Sequence, residues 1–296
     1  MVGIVEGYIV PAQQYALLEQ NRVTIQSVKR VTYSYGPTEG HKLDVYTPPA
    51  SSESASAPSS KPPILLFFHG GSFMHGARIH PHQDLIHANL GAFFALKGIL
   101  TVIVDYRLVP SVSFPGGSED VHDALTWVFH HLNDVGDIDR IFLLGHSAGG
   151  VHVAGCLLSP SIYTRTVPIR GVILLGVPYE IPFANKTAAG LWEAAKVYYG
   201  GAKKVASNQP MGVLRRADNE WIGALPHLRN MAAAREPRYI SSAIRTFGQL
   251  YASKGGIVHT SVMDGHDHLS PIFSLCSGQG EEWGTDIAEW IRDVMW

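Results

Sequence analysis

Two short glycine-rich strings in this chain carry residue types suited to chemistry. The first is Gly145-His146-Ser147-Ala148-Gly149, which follows directly on an apolar run at 141–144 and opens into an apolar, helix-length stretch at 148–158. A serine on a sharp strand-to-helix turn projects its hydroxyl clear of the backbone, as a nucleophile must, and side chains at its flanks would strike the neighbouring strand and helix. Glycine at both flanks meets that demand. The second string, His69-Gly70-Gly71-Ser72-Phe73, follows the apolar run 64–68. Adjacent glycines let backbone N–H groups turn outward toward a substrate oxygen, which is what an oxyanion hole requires.

These strings, about 75 residues apart, can meet only if a sheet brings them to one edge. Short apolar runs at 64–68, 100–104, 141–144 and 172–177 alternate with helix-length stretches at 84–97, 118–132 and 148–158. Strands apolar on both faces and joined by helices predict a mostly parallel sheet covered on both sides, with its site at the C-terminal edge. Ahead of it, 23–46 has strand character, with an opening hairpin of 31–35 and 42–46 turned at Gly36-Pro37. Residues 50–63 are mostly Ser, Ala and Pro, with little to bury, and read as a mobile surface loop. Residues 179–225 break the rhythm with aromatic and amphipathic pieces, read as a helical lid inserted into a single domain spanning 1–296. Its Trp192, Tyr198, Tyr199 and Trp221 either line an apolar cleft or pack the lid onto the sheet. A weak strand before Glu236, a helix at 241–254, a strand at 257–263 and a helix near 284–296 complete the pattern.

The string His69-Gly70-Gly71-Ser72-Phe73 is followed by Asp105-Tyr106-Arg107-Leu108-Val109-Pro110, then Phe114-Pro115 with Glu119-Asp120 and Trp127, then Gly145 to Gly150. This series resembles the hormone-sensitive-lipase-like branch of the α/β-hydrolases, and the resemblance covers the chain from about Val23 to the end. It implies the α/β-hydrolase fold and a carboxylesterase or lipase activity, with the kynurenine formamidases as near relatives. It also implies that the N–H groups of Gly71, Ser72 and Ala148, with Gly70 as a further candidate, form the oxyanion hole. Ser72 stands where many members have a third glycine. Only a backbone N–H is needed there, so the change is tolerated while reshaping the acyl pocket.

A serine needs a base, and the base an orienting acid, in the chain order Ser, acid, His for this fold. The family carries its histidine in a loop after the last strand, which points to His268 in Asp264-Gly265-His266-Asp267-His268-Leu269, with His266 as the rival. The family's acid ends a strand and precedes a proline about 30 residues earlier. Glu236, before Pro237 and 32 residues ahead of His268, fits that pattern. The preceding residues 226–231 include His227, Arg229 and Asn230, which is polar for a buried strand; Asp264 lies close to His268 along the chain, and Asp218 and Glu220 fall in the lid stretch. Asp105, Arg107 and Asp120 are read as holding loops, and His75, His80, His82 and His87 as surface or pocket-rim residues.

Composition narrows the classes. The 296 residues are 46% hydrophobic and 16% charged, with a formal net charge of −2, so a large core is expected and no basic field exists to hold nucleic acid. Two cysteines, Cys156 and Cys276, encode neither a disulfide framework nor a thiolate zinc site and fit a reducing compartment. No run approaches the roughly 20 apolar residues of a membrane span, and residues 1–18 lack the features of a signal peptide. The expectation is a cytoplasmic serine hydrolase without metal or cofactor, acting on a small or medium-sized ester or amide, with a homodimer left open. Its enzymatic rivals are an arylformamidase and a tailoring hydrolase or lactonase. The rival from another class is a ligand-binding protein that has lost catalysis. Such proteins usually lose a triad member, whereas Ser147 and a candidate histidine are both present here.

Overall fold

The expected strands assemble into one eight-stranded sheet. The structure, a computed structural model, describes residues 12–50, 61–183 and 188–293. The strands are β1 (Lys29–Ser34), β2 (Lys42–Thr47), β3 (Pro63–Phe68), β4 (Leu100–Val104), β5 (Asp137–His146), β6 (Ile169–Leu175), β7 (His227–Arg235) and β8 (Val258–Asp267). Their order across the sheet is β1-β2-β4-β3-β5-β6-β7-β8, with β1 and β2 antiparallel and all pairs from β4 through β8 parallel. Crossovers through α3 (Ala88–Leu96), α4 (Gly116–His131) and α5 (Ala148–Leu157) bring the ends of β3 and β5 side by side, with Phe68 paired to Gly145. That pairing sets the two glycine-rich strings next to each other.

Alternation along the strands divides the core. Leu66, Phe68, Val102, Leu143 and Leu174 face α4, α5 and the later helix α10 (Arg238–Ser253), whereas Leu65, Phe67, Ile103, Phe142 and Leu144 face α3 and α12 (Glu282–Asp293). Every side chain of β3 and β4 is buried, as strands covered on both faces must be. Residues 188–223 form the short helices α6 (Ala189–Tyr199), α7 (Ala202–Asn208), α8 (Pro210–Arg216) and α9 (Asn219–Gly223).

Several expectations require correction. Residues 23–27 are not strand but lie in α2 (Arg22–Ser27), which follows α1 (Ala12–Gln20); Leu18 and Ile25 are buried and anchor the pair. Helix α3 starts at Ala88 rather than at 84, with His87 in the left-handed region ahead of it. The segment before Glu236 is a full strand: Asn230 is wholly buried, but its Oδ1 accepts from Tyr179 Oη at 2.8 Å and its Nδ2 donates to the Ile244 carbonyl at 2.9 Å. A paired buried amide costs the strand little. Strand β8 extends past 263 through Asp267, so the loop expected at 264–267 is part of the sheet edge. His80 and His87 are buried rather than superficial. The loop expected at 50–63 lies mostly outside the described residues, as do residues 1–11 and 294–296 of the terminal stretches.

Three buried carboxylates, Asp44, Asp105 and Asp120, tie the loops above the sheet. Asp120 on α4 is fully buried; it accepts the Arg107 N–H at 2.8 Å and the Arg107 Nε–H at 2.9 Å, and His41 Nε2 lies at 3.2 Å. Arg78 bridges Asp44 and Asp105 in the same way. Removing one partner of such a group leaves the others unpaired, so Asp120→Ala is expected to lower unfolding free energy by about 3 kcal/mol, the low end for a buried pair because Arg107 is partly exposed. Urea unfolding monitored by tryptophan fluorescence measures it, and a loss under about 1 kcal/mol would show that Arg107 and His41 find other partners.

Candidate active site

Ser147 occupies the turn between β5 and α5 with φ 51° and ψ −120°, a conformation that costs a non-glycine residue on the order of 1–3 kcal/mol. The surroundings hold it there. Its N–H donates to the Leu175 carbonyl at 2.9 Å and its own carbonyl accepts from Val151 at 3.1 Å. Gly149 follows because the first turn of α5 rests against the end of β3: a Cβ at that position would sit 2.2 Å from the Phe68 carbonyl oxygen and 2.4 Å from that of His69.

His268 comes directly off the end of β8. Asp267 Oδ1 accepts the N–H groups of Leu269 and Ser270 at 3.1 and 3.0 Å, which fixes the turn into α11 (Ser270–Ser274). The main-chain carbonyl of His268 is bonded to His146 Nε2 at 2.8 Å. Glu236 comes off the end of β7, and its side chain is 1% exposed. The three side chains form one chain of contacts, Ser147 Oγ to His268 Nε2 at 3.0 Å and His268 Nδ1 to Glu236 Oε2 at 2.8 Å. A carboxylate accepts only, so Nδ1 carries the proton, and Nε2 presents its lone pair to the serine hydroxyl. The competing residues lie elsewhere: His266 Nδ1 is 3.1 Å from Ser270 Oγ, Asp264 is exposed on β8, and Asp218 caps α9 by accepting the Glu220 N–H at 2.7 Å.

Across from Ser147 lies the glycine loop. Gly71 has φ +139° and packs so closely on the His75 carbonyl that a Cβ would fall 1.8 Å from its oxygen. The N–H groups of Met74 and His75 both close on the Gly71 carbonyl, and Tyr106 Oη donates to the His69 carbonyl at 2.7 Å. Ser72 and Phe73 follow at φ 51° and 66°. The N–H groups of Gly70, Gly71, Ser72 and Ala148 donate to no other described residue. Such an arrangement can receive a carbonyl oxygen that gains negative charge while a hydroxyl attacks its carbon. Among the described residues, no three His, Cys, Asp or Glu side chains group so as to hold a metal ion.

Of the histidines buried around these loops, His87 is read from the sequence as a surface or pocket-rim residue, and His152 is not marked by its sequence position at all. His69 stacks on Tyr106 at 4.6 Å and lies 5.7 Å from His87; His152 on α5 meets Tyr106 edge-on at 4.7 Å. Burial pushes the His87 and His152 imidazoles down to about 3, and lowers those of His69 and His146 as well. Of the aromatic residues noted in the helical stretch, Tyr198 and Tyr199 are buried and Trp221 donates to the Leu157 carbonyl at 3.0 Å. Trp192 borders a cleft of about 400 Å³ with Phe183 and Tyr239. No helix among the described residues is long and apolar enough to cross a membrane.

Comparison with known proteins places these features in context. Residues 65–207 match the α/β-hydrolase fold family. The chain is 33% identical over 169 residues to probable carboxylesterase 13 of Arabidopsis thaliana, covering 52% of this chain and 49% of that protein. It is 32% identical over 207 residues to probable carboxylesterase 7 of the same plant, covering 64% and 61%. The matched stretch thus spans about half the length of the first of these relatives. Among solved structures, the thermostable carboxylesterase EstE1 from a metagenomic library aligns over 95% of both chains with a TM-score of 0.71 at 21% identity. Esterase B of Lactobacillus rhamnosus aligns over 95% of both with a TM-score of 0.69 at 18% identity.

The buried imidazoles give stability a definite pH dependence. In the unfolded chain a histidine titrates near 6.5, whereas burial holds His87 and His152 at about 3 in the folded protein. Between those values the unfolded chain binds more protons, so stability falls as pH drops. From pH 7 to pH 5 the expected loss is about 2 kcal/mol for each such histidine, measured by urea unfolding at the two pH values. His152→Leu is expected to remove its own share of the slope, and an unchanged slope in that variant would mean that His152 titrates in the folded protein as it does in the unfolded chain.

Proposed function

The chain belongs to the α/β-hydrolases, on their carboxylesterase branch, and from that premise we propose that it is a serine hydrolase cleaving small or medium-sized carboxylic esters. The contact chain from Ser147 through His268 to Glu236, at 3.0 and 2.8 Å, carries this reading. Ser147 Oγ attacks the ester carbonyl as His268 Nε2 takes its proton, and Glu236 holds the imidazole and stabilises its charged form. The carbonyl oxygen becomes an oxyanion received by the N–H groups of Gly71, Ser72 and Ala148, with Gly70 adjoining. Collapse of this intermediate expels the alcohol, which leaves with the proton that His268 returns. Water, deprotonated by the same histidine, then releases the acid from the acyl-enzyme. Relatives named as carboxylesterases support the bond type, and a serine only 7% exposed supports substrates of modest size. The proposed compartment is the cytoplasm, on two free cysteines, of which Cys156 is buried.

A panel of aryl esters of increasing acyl length, with N-formylkynurenine included, tests bond type and acyl pocket together. Turnover of short and medium esters is expected; cleavage of the formamide alone would replace the ester reading. Ser147→Ala is expected to abolish turnover and labelling by a fluorophosphonate probe with the fold intact, and turnover within tenfold of the unaltered protein would remove Ser147 from its role. For the base and acid, His268→Ala is expected to lose orders of magnitude in kcat and Glu236→Gln up to about 10⁴, with KM little changed. His266→Ala and Asp264→Asn are expected to stay within about tenfold, the range of an indirect effect on site geometry. The opposite ranking would reassign the base and the acid.

A further inference from the structure

The glycine loop is held by something other than its own hydrogen bonds. Ser72 and Phe73 are consecutive non-glycine residues in the left-handed region, at φ 51° and 66°. Such residues persist only where surrounding structure over-determines them. The main-chain carbonyl of Phe73 is tied to the Val109 N–H at 3.0 Å. Its side chain, 1% exposed, is packed by an aromatic group drawn from separate elements. Tyr198 of α6 stacks face to face on the Phe73 ring, with centroids 5.0 Å apart and planes within 9°. His152 of α5 closes the edge at 5.4 Å, and Phe114 meets Tyr198 at right angles at 6.1 Å. The Phe114 N–H donates to the Tyr198 carbonyl at 2.7 Å, which fixes the end of α6 where the stack needs it.

We propose that Tyr198, from the helical stretch between β6 and β7, is a positioning residue that holds Phe73 and thereby aims the Ser72 and Gly71 N–H groups at the reacting oxygen. This inference rests on the ester-hydrolase reading and adds to it a role for a residue remote in sequence from the reacting groups. A loop with two residues at positive φ can relax once the flat surface against Phe73 is lost, and an oxyanion donor is effective only when its nitrogen lies about 2.7–3.1 Å from the developing charge. The ring is the working part. The Tyr198 hydroxyl is buried beside Gly117 and Ser118, and among the described residues no partner lies within ordinary hydrogen-bonding geometry. A phenylalanine therefore serves in its place, and an aliphatic side chain does not.

The test compares Tyr198→Leu and Tyr198→Phe with the unaltered protein on a short aryl ester. Alongside kcat and KM it measures inhibition by an aryl trifluoromethyl ketone, whose adduct with the serine places an oxyanion against the loop donors. Tyr198→Leu is expected to lower kcat at least tenfold with KM within about threefold, and to weaken ketone inhibition by a similar factor, while Tyr198→Phe restores both. A melting temperature recorded for each variant confirms that folded protein is compared. If Tyr198→Leu does not fold, Phe73→Leu removes the other face of the same stack and carries the same expectation. Full kcat in the leucine variant, or a lower kcat with unchanged ketone affinity, overturns the inference. An unaltered protein that neither turns over esters nor reacts with a fluorophosphonate would instead overturn the hydrolase reading on which it rests.

Discussion

The arrangement depends on one backbone constraint, the close approach of the first turn of α5 to the end of β3. Gly149 lies against the Phe68 and His69 carbonyls with no room for a Cβ. This contact fixes where the helix starts relative to the neighbouring strand, and with it the unfavourable backbone of Ser147 at φ 51°. It also sets the Ala148 N–H beside the loop that leaves β3. The strain at Ser147 is sustained because relieving it would pull α5 off a sheet whose β3 and β4 side chains are entirely buried. Removing that apolar surface from its cover would cost more than the few kcal/mol of strain.

The loops above this edge are secured by buried ionic groups rather than by hydrophobic packing alone. Arg78 reaches both Asp44 on β2 and Asp105 after β4, while Asp120 on α4 holds both backbone and side chain of Arg107. Such groups add little net stability, since desolvation offsets attraction, but a wrong arrangement would strand a buried charge. Here they select one geometry for the segments flanking the glycine loop. The geometry matters because the loop's outward N–H groups receive no hydrogen bond acceptor from the described protein to orient them.

Most of the sheet was legible in the sequence because β3, β4 and β6 are continuous apolar runs, and the serine turn because glycines mark it. Strand β7 was less legible, since His227, Arg229 and Asn230 make it polar. The reason became visible only in three dimensions: Asn230 finds Tyr179 and the Ile244 carbonyl, partners 51 and 14 residues away in sequence. Helices α1 and α2 carry single buried anchors, Leu18 and Ile25, too few to give a periodic signal against the strand-like Val23. Ser147, His268 and Glu236 were named from motif positions, and the fold brings them within hydrogen-bonding distance. The aromatic packing behind Phe73 was not legible, because Tyr198 is joined to it by tertiary structure alone and an aromatic pair in an amphipathic helix reads equally as core or as cleft lining.

The buried histidines follow the same logic at the level of charge. In the proposed reaction an imidazolium forms at His268, and a second cation nearby would oppose it; two unit charges about 5 Å apart repel by roughly 3 kcal/mol even at an effective dielectric of 20. The His146 ring is 5.1 Å from the His268 ring. Burial keeps His146 neutral, with its titration displaced well below the ordinary imidazole range. It can therefore hold the His268 main-chain carbonyl through a hydrogen bond without placing a charge beside the base. A lysine or arginine could make the same bond only by bringing that charge, and an aliphatic residue could not make it at all. On this argument, the residue before the nucleophile must donate an N–H without carrying a charge, and a histidine kept neutral by burial does so.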